Sequence, residues 1–294
     1  MILSILIPVY NYNCVALVKA LQQQAENCNI DYEILVADDG SDNAAIVCQN
    51  REINAIPHSH YHEMGKNHGR SWIRNWLVGQ SKGEFLLFID SDAEVCNAHF
   101  IGNYLRHVEK GAVICGGILH PEENFSPSRR LRYRYEKAME PCFTAERRNL
   151  HPYANLRTFN FMMPREVALT HPFDESITLY GYEDTLLGSQ FEKEGIKVVH
   201  IDNPLINADI EENLRFLEKT EESMLSLYQL KDKMRNHSRL LASYEKIKRF
   251  KLDVLLRILF PLLRPLLKWH LTGNHPSVIA LQFYKLAYYC TLCK

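Results

Sequence analysis

The chain has 294 residues, of which 46% are hydrophobic, so at roughly 100–200 residues per domain it can form one large domain or one and a half. Its 34 Lys and Arg residues balance 35 Asp and Glu residues, for a formal charge of −1, which excludes a general electrostatic footprint for nucleic acid. Gly and Pro counts are ordinary and no tandem repeat or low-complexity tract is visible, which excludes disordered and fibrous classes.

The eight cysteines and the apolar first residues of the chain indicate in which cellular compartment the protein is expected. The chain is too long to need a disulfide framework, and Met1 to Val9 lack the basic region and cleavage site of a secretory leader. We therefore expect reduced thiols, a cytoplasmic location and a buried first strand. Cys290 and Cys293 have a zinc-like spacing, but no second pair completes four ligands, and we expect this pair to be inert.

Short apolar runs alternate with helical patterns along the first half of the chain, which is typical of a parallel sheet with crossover helices. The predicted strands are 2–9, 33–37, 84–89, 112–118, 159–163 and 197–201, and the predicted helices are 14–26, 67–80, 97–109 and 183–194. From residue 211 the pattern is helical almost to the end. The sequence therefore predicts an α/β catalytic domain over residues 1–210 and a helical C-terminal extension over 211–294.

Acidic residues follow two of the predicted strands. Asp38 and Asp39 come after strand 33–37, and the triplet Asp90, Ser91 and Asp92 comes after strand 84–89. Ligands bind at the carboxyl ends of strands in open α/β sheets, and two carboxylates spaced i, i+2 can face one hard cation that also bridges a diphosphate. This pattern predicts metal-assisted departure of a nucleotide. For Asp38 and Asp39 the alternative of simple turn formers stays open.

A third acidic position is the start of the predicted helix 183–194, where Glu183 and Asp184 follow Gly181 and Tyr182. These acids can complement the helix dipole. Asp184 can also accept a proton from a substrate hydroxyl at the edge of the sheet, and the two roles are compatible.

Four motifs occur in order along the chain: residues 4–11 (SILIPVYN), 36–41 (VADDGS), 88–92 (FIDSD) and 181–184 (GYED). Together they resemble family 2 glycosyltransferases of the GT-A fold, most of all the bacterial members with a long helical C-terminal extension. The resemblance covers roughly residues 2–230 and implies a Rossmann-like, mostly parallel sheet flanked by helices.

The resemblance implies an inverting, metal-dependent transferase that moves a sugar from a nucleoside-diphosphate sugar, usually a UDP-sugar, with Mn²⁺ or Mg²⁺. The acceptor is a hydroxyl of a saccharide or lipid-linked saccharide, in cell-surface polysaccharide synthesis. Pro8 and Tyr10 resemble residues that frame the nucleoside, and Asp39 matches the carboxylate that accepts from the uracil edge. Arg70 occupies a helix start that typically touches the base or a phosphate.

The same resemblance assigns the remaining site residues. Asp90, with Ser91 beside it in the motif, matches the residue that holds the ribose or metal-bound waters, and Asp92 matches the direct metal ligand. Asp184 matches the general base, with Glu183 beside it as a contact to acceptor hydroxyls.

One position departs from the family pattern. A His that can complete the metal site is often found where this sequence has Asn207. His200 is a substitute ligand or, alternatively, an ordinary strand histidine. If neither residue serves, Asp92 and the diphosphate hold most of the metal, and metal affinity without nucleotide is expected to be low.

Other features have two interpretations each. Alternating histidines could bind zinc or lie on a solvated edge strand; they are His58, His60 and His62. A basic stripe could receive an anionic acceptor such as a lipid diphosphate, or could be a solvated helix face or mobile loop; it comprises Arg129, Arg130, Arg132 and Arg134. Asn160 lies where family members build the acceptor wall.

The C-terminal segment from Lys246 to Lys268 has seven basic residues and one acid, interleaved with leucines and followed by Trp269. Internal charges, Pro261 and Pro265 argue against a spanning helix. A basic, Leu-rich stretch of this kind suits the interface of an anionic membrane, here the inner face of the cytoplasmic membrane. The alternative is that its apolar face packs on the catalytic domain or on a second subunit; the oligomeric state is open.

Two other classes compete with a glycosyltransferase. A nucleotidyltransferase also uses an α/β sheet with an acidic metal site, but no Gly-rich phosphate loop follows the first strand. A catalytically silent protein that binds nucleotide sugar or membrane is the other alternative, and the presence of both acidic motifs argues against it.

Overall fold

The computed structural model describes residues 2–108, 111–120, 126–140, 144–235 and 237–293. A seven-stranded sheet has the order β3-β2-β1-β4-β8-β6-β9, and all neighbours are parallel except β8, which is antiparallel to β4 and β6. A small second sheet has the order β5-β10-β7. The strands are β1 Ile2–Val9, β2 Asp31–Asp38, β3 Ser59–Glu63, β4 Phe85–Ile89, β5 Ala93–Glu94, β6 Val113–Cys115, β7 Ile118–Leu119, β8 Asn160–Pro164, β9 Val198–His200 and β10 Leu205–Asn207.

Thirteen helices lie within the described ranges. They are α1 Val15–Asn27, α2 Ala44–Asn50, α3 Arg70–Gln80, α4 Phe100–Arg106, α5 Arg130–Met139, α6 Ala145–Asn149, α7 Arg165–Thr170, α8 Glu183–Glu194, α9 Asn213–Gln229, α10 Lys231–Met234, α11 Arg239–Arg249, α12 Leu252–Thr272 and α13 Val278–Leu292. The predicted helix 97–109 is shorter at both ends in the described part, and its last residue lies outside the described residues.

Both faces of the large sheet are buried, because successive side chains of a strand point to opposite faces. On β1, Ile5 belongs to one hydrophobic core with Leu21 of α1, and Leu6 belongs to a second core with Leu77 of α3. Every residue of β4 is buried. Covering a parallel sheet on both faces explains why its strands appear in the sequence as continuous apolar runs. The predicted mostly parallel sheet flanked by helices is confirmed.

The chain divides into two compact units. Unit 1 comprises Met1–Pro121, Cys142–Ser176 and Leu187–Asp209, and unit 2 comprises Glu122–Pro141, Ile177–Leu186 and Ile210–Lys294. The last segment of unit 2 begins one residue before the predicted boundary at 211. The two earlier segments were not expected in the C-terminal unit.

Contacts within unit 2 explain why it takes these two earlier segments. Asn213, the first residue of α9, accepts from the backbone N–H of Leu131 at 2.7 Å. The backbone N–H of Tyr180 donates to Glu222 at 3.0 Å, and the Ser226 hydroxyl donates to the carbonyl of Gly181 at 3.2 Å. These are contacts between residues far apart in sequence, which hydrophobic periodicity does not indicate.

The helices of unit 2 pack around their own cores. One core includes Phe216 of α9, Phe260 of α12 and Leu281 and Tyr284 of α13. The C-terminal extension is therefore a packed helical unit. Among the helices that the structure describes, none has both the length and the apolar character needed to cross a bilayer.

Candidate functional site

The turn after β2 has two buried carboxylates next to each other, Asp38 and Asp39. Asp38 is buried, and its Oδ1 and Oδ2 accept from the Ser41 backbone N–H at 2.7 Å and the Tyr61 hydroxyl at 2.5 Å. Burial, and then the hydrogen bond to Asp38, raise the pKa of Tyr61. Asp38 thus follows the turn-forming interpretation.

Asp39 joins this turn to the start of α3. Its two carboxylate oxygens accept from the backbone N–H groups of His68 and Gly69 at 2.8 and 2.9 Å. Burial raises the pKa of Asp39, and these two hydrogen bonds oppose the rise. Because a carboxylate oxygen has more than one acceptor position, Asp39 keeps the capacity to accept from a base N–H.

Gly40 allows the two loops to approach each other closely. Its φ is +74°, and a Cβ at this position would lie 2.4 Å from the carbonyl carbon of Lys66. A side chain here would push the loop before α3 away. The position of Asp39 relative to His68 and Gly69 therefore depends on glycine at 40.

Asp90 begins the turn after β4, the middle strand of the seven. Arg74 of α3 donates from Nη2 to Asp90 Oδ1 at 2.8 Å, and the Arg74 side chain is only 5% exposed. The Arg74 guanidinium also lies 5.5 Å from the ring centre of Phe173. This arrangement orients the Asp90 carboxylate from α3.

The family resemblance points to Arg70 on this helix, and the structure adds Arg74, which the sequence interpretation does not include. A signal was present, because Arg74 lies three and four residues before the buried Leu77 and Val78. Helical period places it on the buried face, where an arginine needs a partner.

Asp92 lies where the large sheet leads into the small one. The backbone N–H of Ala208 donates to the Asp92 carbonyl at 3.0 Å, and Asn207 pairs with Ala93 across β10 and β5. Asn207 is thus close to Asp92 in the fold, as the sequence position of the family histidine suggested. Asp209, two residues further on, was not predicted.

The pKa of Tyr12 reflects the negative charge of the carboxylates around this turn. Burial raises the pKa of Tyr12, and the negative charges of Asp209, Asp92 and Glu94 raise it further. Several carboxylates therefore act on one region, where a divalent cation would be favoured electrostatically. Within the described residues, however, no group of three or more His, Cys, Asp or Glu side chains is placed to hold a metal ion.

His200, one of the candidate metal ligands, is held within the protein at both ring nitrogens. Arg148 Nη1 lies 3.1 Å from Nδ1, and the Pro152 carbonyl lies 2.9 Å from Nε2. Burial lowers the pKa of His200 to about 4. A neutral ring that accepts at Nδ1 and donates from Nε2 has no lone pair left for a metal, which favours the ordinary strand histidine.

Asn160 is also engaged internally. It is buried, its Oδ1 accepts from the Tyr104 hydroxyl at 2.7 Å, and its Nδ2 donates to the carbonyls of Gly117 and Asn203 at 3.0 and 2.9 Å. All of its amide groups are used, which argues against a direct role in an acceptor wall.

The other predicted contacts of unit 1 lie on the same edge of the sheet. Pro8 pairs with Ala37 near the ends of β1 and β2, and Tyr10 follows β1 with 48% of its surface exposed. Arg70 is exposed and is the first residue of α3, and Ser91 lies half-buried in the turn after β4.

The structure also places the alternating histidines and the basic stripe, for which the sequence left two interpretations each. β3 is an edge strand of the large sheet and contains His60 and His62, as expected, whereas His58 lies just before it with a φ of +57°. In unit 2, Arg132 pairs with Glu211 at 2.5 Å, and Arg134 donates to the carbonyl of Pro276 at 3.0 Å. Two arginines of the basic stripe are thus structural.

Glu183 and Asp184 form the first turn of α8 and belong to unit 2. Gly181 and Tyr182 before them have φ values of +91° and +74°, so a sharp bend precedes the helix. Both acids are half-buried. Their place at a helix start agrees with the predicted position and leaves both the dipole and the proton-acceptor role open.

Several solved structures have a fold similar to that of this chain. A mannosyltransferase from Pyrobaculum calidifontis, in complex with GDP-Man and Mn²⁺, is 12% identical over 98% of this chain and 84% of its own, with a TM-score of 0.56. S. aureus TarS 1–349 in complex with UDP is 16% identical over 98% and 89%, with a TM-score of 0.51. Mannosyl-3-phosphoglycerate synthase from Rubrobacter xylanophilus is 16% identical over 79% and 75%, with a TM-score of 0.54.

No curated protein sequence matches the chain. The family model described as glycosyl transferase family 2 matches residues 4–170, which is more than half of the chain and includes Asp39, Asp90 and Asp92. Together with the mostly parallel sheet and its acidic edge, this match shows that the chain belongs to glycosyl transferase family 2.

Proposed function

We propose that this protein is an inverting glycosyltransferase that moves a sugar from a UDP-sugar to a hydroxyl of a saccharide or lipid-linked saccharide, in the synthesis of a cell-surface polysaccharide. The observation that carries the proposal is the acidic turn after the middle strand β4, where Arg74 orients Asp90 and where Asp92 lies among further carboxylates. Such an edge suits a nucleoside diphosphate with a divalent cation.

Asp39 selects the base in this proposal. Backbone N–H groups already fix its carboxylate, and a remaining acceptor position takes the imide N–H of uracil. Guanine also has an N–H on this edge, so Asp39 is compatible with either base. The mannosyltransferase of similar fold was solved with GDP-Man and the TarS structure with UDP, and we favour uridine from the sequence motifs.

Asp92 is the proposed metal ligand, and Asp209 is a further carboxylate of the same region. Because the described side chains form no group of three ligands, oxygens of the donor diphosphate would have to supply the remaining ligands. His200 is not part of it. Asp92 would hold Mn²⁺ or Mg²⁺, whose charge would offset the charge on the leaving diphosphate.

Asp184 is the proposed general base and Glu183 a contact to acceptor hydroxyls. Asp184 accepts the proton of the acceptor hydroxyl while that oxygen attacks the anomeric carbon from the face opposite the diphosphate. The bond from the anomeric carbon to the diphosphate oxygen breaks as the new glycosidic bond forms. One such displacement inverts the anomeric configuration.

A donor screen tests the proposal. The full-length protein is incubated with UDP-, GDP-, CDP- and dTDP-sugars, with and without saccharide or lipid-linked acceptors, and nucleotide release is measured. We expect UDP release that increases with acceptor, and a product of inverted configuration by NMR. Retained configuration would contradict the mechanism, and nucleotide binding without turnover would identify a silent binding protein.

A further inference from the structure

The long helix α12 of unit 2 has its charged residues directed inward. Arg264 Nη2 lies 2.9 Å from one carboxylate oxygen of Glu221, and Lys268 Nζ lies 3.0 Å from the other. Arg257 pairs with the buried Asp253 at 3.6 Å. The sequence suggested that these cations would face a membrane, but Arg264 and Lys268 join α12 to α9 of the same unit, and Arg257 pairs within α12.

The opposite face of α12 is exposed and apolar. Ile258 is 65% exposed, Leu262 76% and Trp269 74%. Their spacing of four and then seven residues puts them on one side of the helix. The exposed apolar residues of α12, here named the outer stripe, are Leu252, Val254, Leu255, Ile258, Leu259, Pro261, Leu262, Leu263, Pro265, Leu266 and Trp269.

An exposed aliphatic stripe of this length is unusual for a protein surface that faces only water. The outer stripe also has a charged end. Lys246, Lys248, Arg249 and Lys251 are all exposed at the end of α11 and the start of α12, beside Phe250, which is 76% exposed. One end of the stripe is therefore cationic, and Trp269 lies near the other.

The four exposed cations distinguish between two partners for the outer stripe, a second copy of the chain and a lipid surface. A second copy of this surface would bring one exposed acid, Glu245 of α11, against the four cations, because Asp253, the acidic residue of α12, is buried and paired. Anionic lipid headgroups would neutralise them, while Leu, Ile and Trp side chains enter the acyl boundary.

Two prolines indicate that the helix lies in the interface and not deeper. Pro261 and Pro265 lack the N–H groups that would satisfy the carbonyls of residues 257 and 261 in α12. Unsatisfied carbonyls are costly in the hydrocarbon core but can be hydrated among the headgroups. Both prolines are exposed on the outer face.

We propose that the outer stripe and the four adjacent cations form a peripheral docking surface for an anionic bilayer, with α12 parallel to the membrane plane. This inference concerns unit 2 alone and goes beyond the proposed transfer reaction. Its test measures membrane binding without a donor sugar, so its outcome does not depend on whether the transfer reaction is confirmed.

The first experiment measures co-sedimentation of the full-length protein with phosphatidylglycerol-containing vesicles and with phosphatidylcholine vesicles. We expect binding to the anionic vesicles that weakens with salt. The double variant Ile258→Ser/Leu262→Ser should bind at least about tenfold more weakly, because each change removes inserted carbon atoms. Leu150→Ser is the matched control, since Leu150 is 71% exposed but lies in unit 1, and it should bind as the wild type does.

A second variant tests the charges. Lys246→Gln/Arg249→Gln/Lys251→Gln should weaken binding to anionic vesicles by about fivefold per charge removed. Trp269 emission should shift to the blue on binding and be quenched by brominated lipids, and Trp269→Phe should remove this response. The shift reports insertion even if one variant folds poorly.

Three results would overturn the proposal. The wild type could ignore anionic vesicles, the double variant could bind them as well as the Leu150→Ser control does, or Trp269 could remain unquenched in the bound protein. Self-association that is lost in the double variant, without vesicle binding, would assign the outer stripe to a second copy of the chain.

Discussion

The guanidinium of Arg74 donates to Asp90 Oδ1 at 2.8 Å, which joins α3 to the turn at the end of the middle strand. Removing the acid should be more costly than its partly solvated position suggests, because it leaves Arg74, 5% exposed, without its carboxylate. We expect Asp90→Ala to lower the free energy of unfolding by about 3 kcal/mol. Asp90→Asn, which keeps an acceptor, should lose less. Urea denaturation measures both, and equal stability of the two variants would contradict this role.

The metal prediction concerns Asp92. The described side chains form no group of three ligands, so we expect Mn²⁺ to bind weakly to the free protein and more tightly once UDP is present. Asp92→Ala should remove the metal-dependent part of UDP binding and leave the metal-independent part. Isothermal titration with and without Mn²⁺ separates the two parts. Tight Mn²⁺ binding without nucleotide would show that the protein alone completes the site.

Base selection can be tested without changing the protein. If Asp39 accepts from a base N–H, UDP should bind more tightly than CDP by about 1.5–3 kcal/mol, the range for hydrogen bonds to charged groups. Cytosine has an acceptor nitrogen where uracil has its imide N–H. This comparison avoids Asp39→Ala, which would also release His68 and Gly69. Equal affinities for UDP and CDP would remove Asp39 from base recognition.

The proposed base predicts a specific kinetic defect. Asp184→Asn should lower the transfer rate at saturating substrates by about 10²-fold or more, with the dissociation constant for UDP unchanged. Glu183→Gln is the neighbouring control, and it should raise the acceptor KM more than it lowers kcat. Steady-state kinetics with direct UDP titration measures these effects. Near-normal kcat in Asp184→Asn would assign Asp184 only to the helix dipole.

His200 predicts a pH dependence of stability. Its pKa is lowered from 6.5 to about 4 by burial, so the unfolded chain binds a proton that the folded one does not between these values. Stability should therefore fall by about 3 kcal/mol as the pH drops from 6.5 to 4. His200→Gln should be less stable at pH 7 but lack this loss, so its stability should approach that of the wild type at low pH. Parallel pH curves for the two proteins would contradict the assignment.

The sheet could be predicted from sequence because its strands are buried on both faces and appear as uninterrupted apolar runs, such as β4. The small sheet could not, since β5 and β7 have two residues each. Asp39, Asp90 and Asp92 were found because they follow such runs directly. Arg74 was overlooked because its partner is 16 residues away, and sequence order does not show which acid a buried arginine meets.

The C-terminal helices illustrate a different difficulty. The sequence pattern of α12 shows that apolar and basic residues alternate, but not which group faces inward. In the structure, Arg264 and Lys268 face inward because both pair with Glu221. Burial alone would raise the pKa of Glu221, but hydrogen bonds from Tyr284, Lys268 and Arg264 outweigh burial and lower it.

Arg148 has a consequence for any redesign of this edge. It donates to the carbonyls of Gly116 and Ile201 at 3.4 and 2.8 Å, and a Cβ at Gly117 would lie 2.8 Å from its guanidinium. The segments that follow β6 and β9 are therefore both held by hydrogen bonds from a single side chain of α6. An exchange of the segment after β6 with that of another enzyme would succeed only if Arg148, Gly117 and the chain at residue 201 were transplanted together.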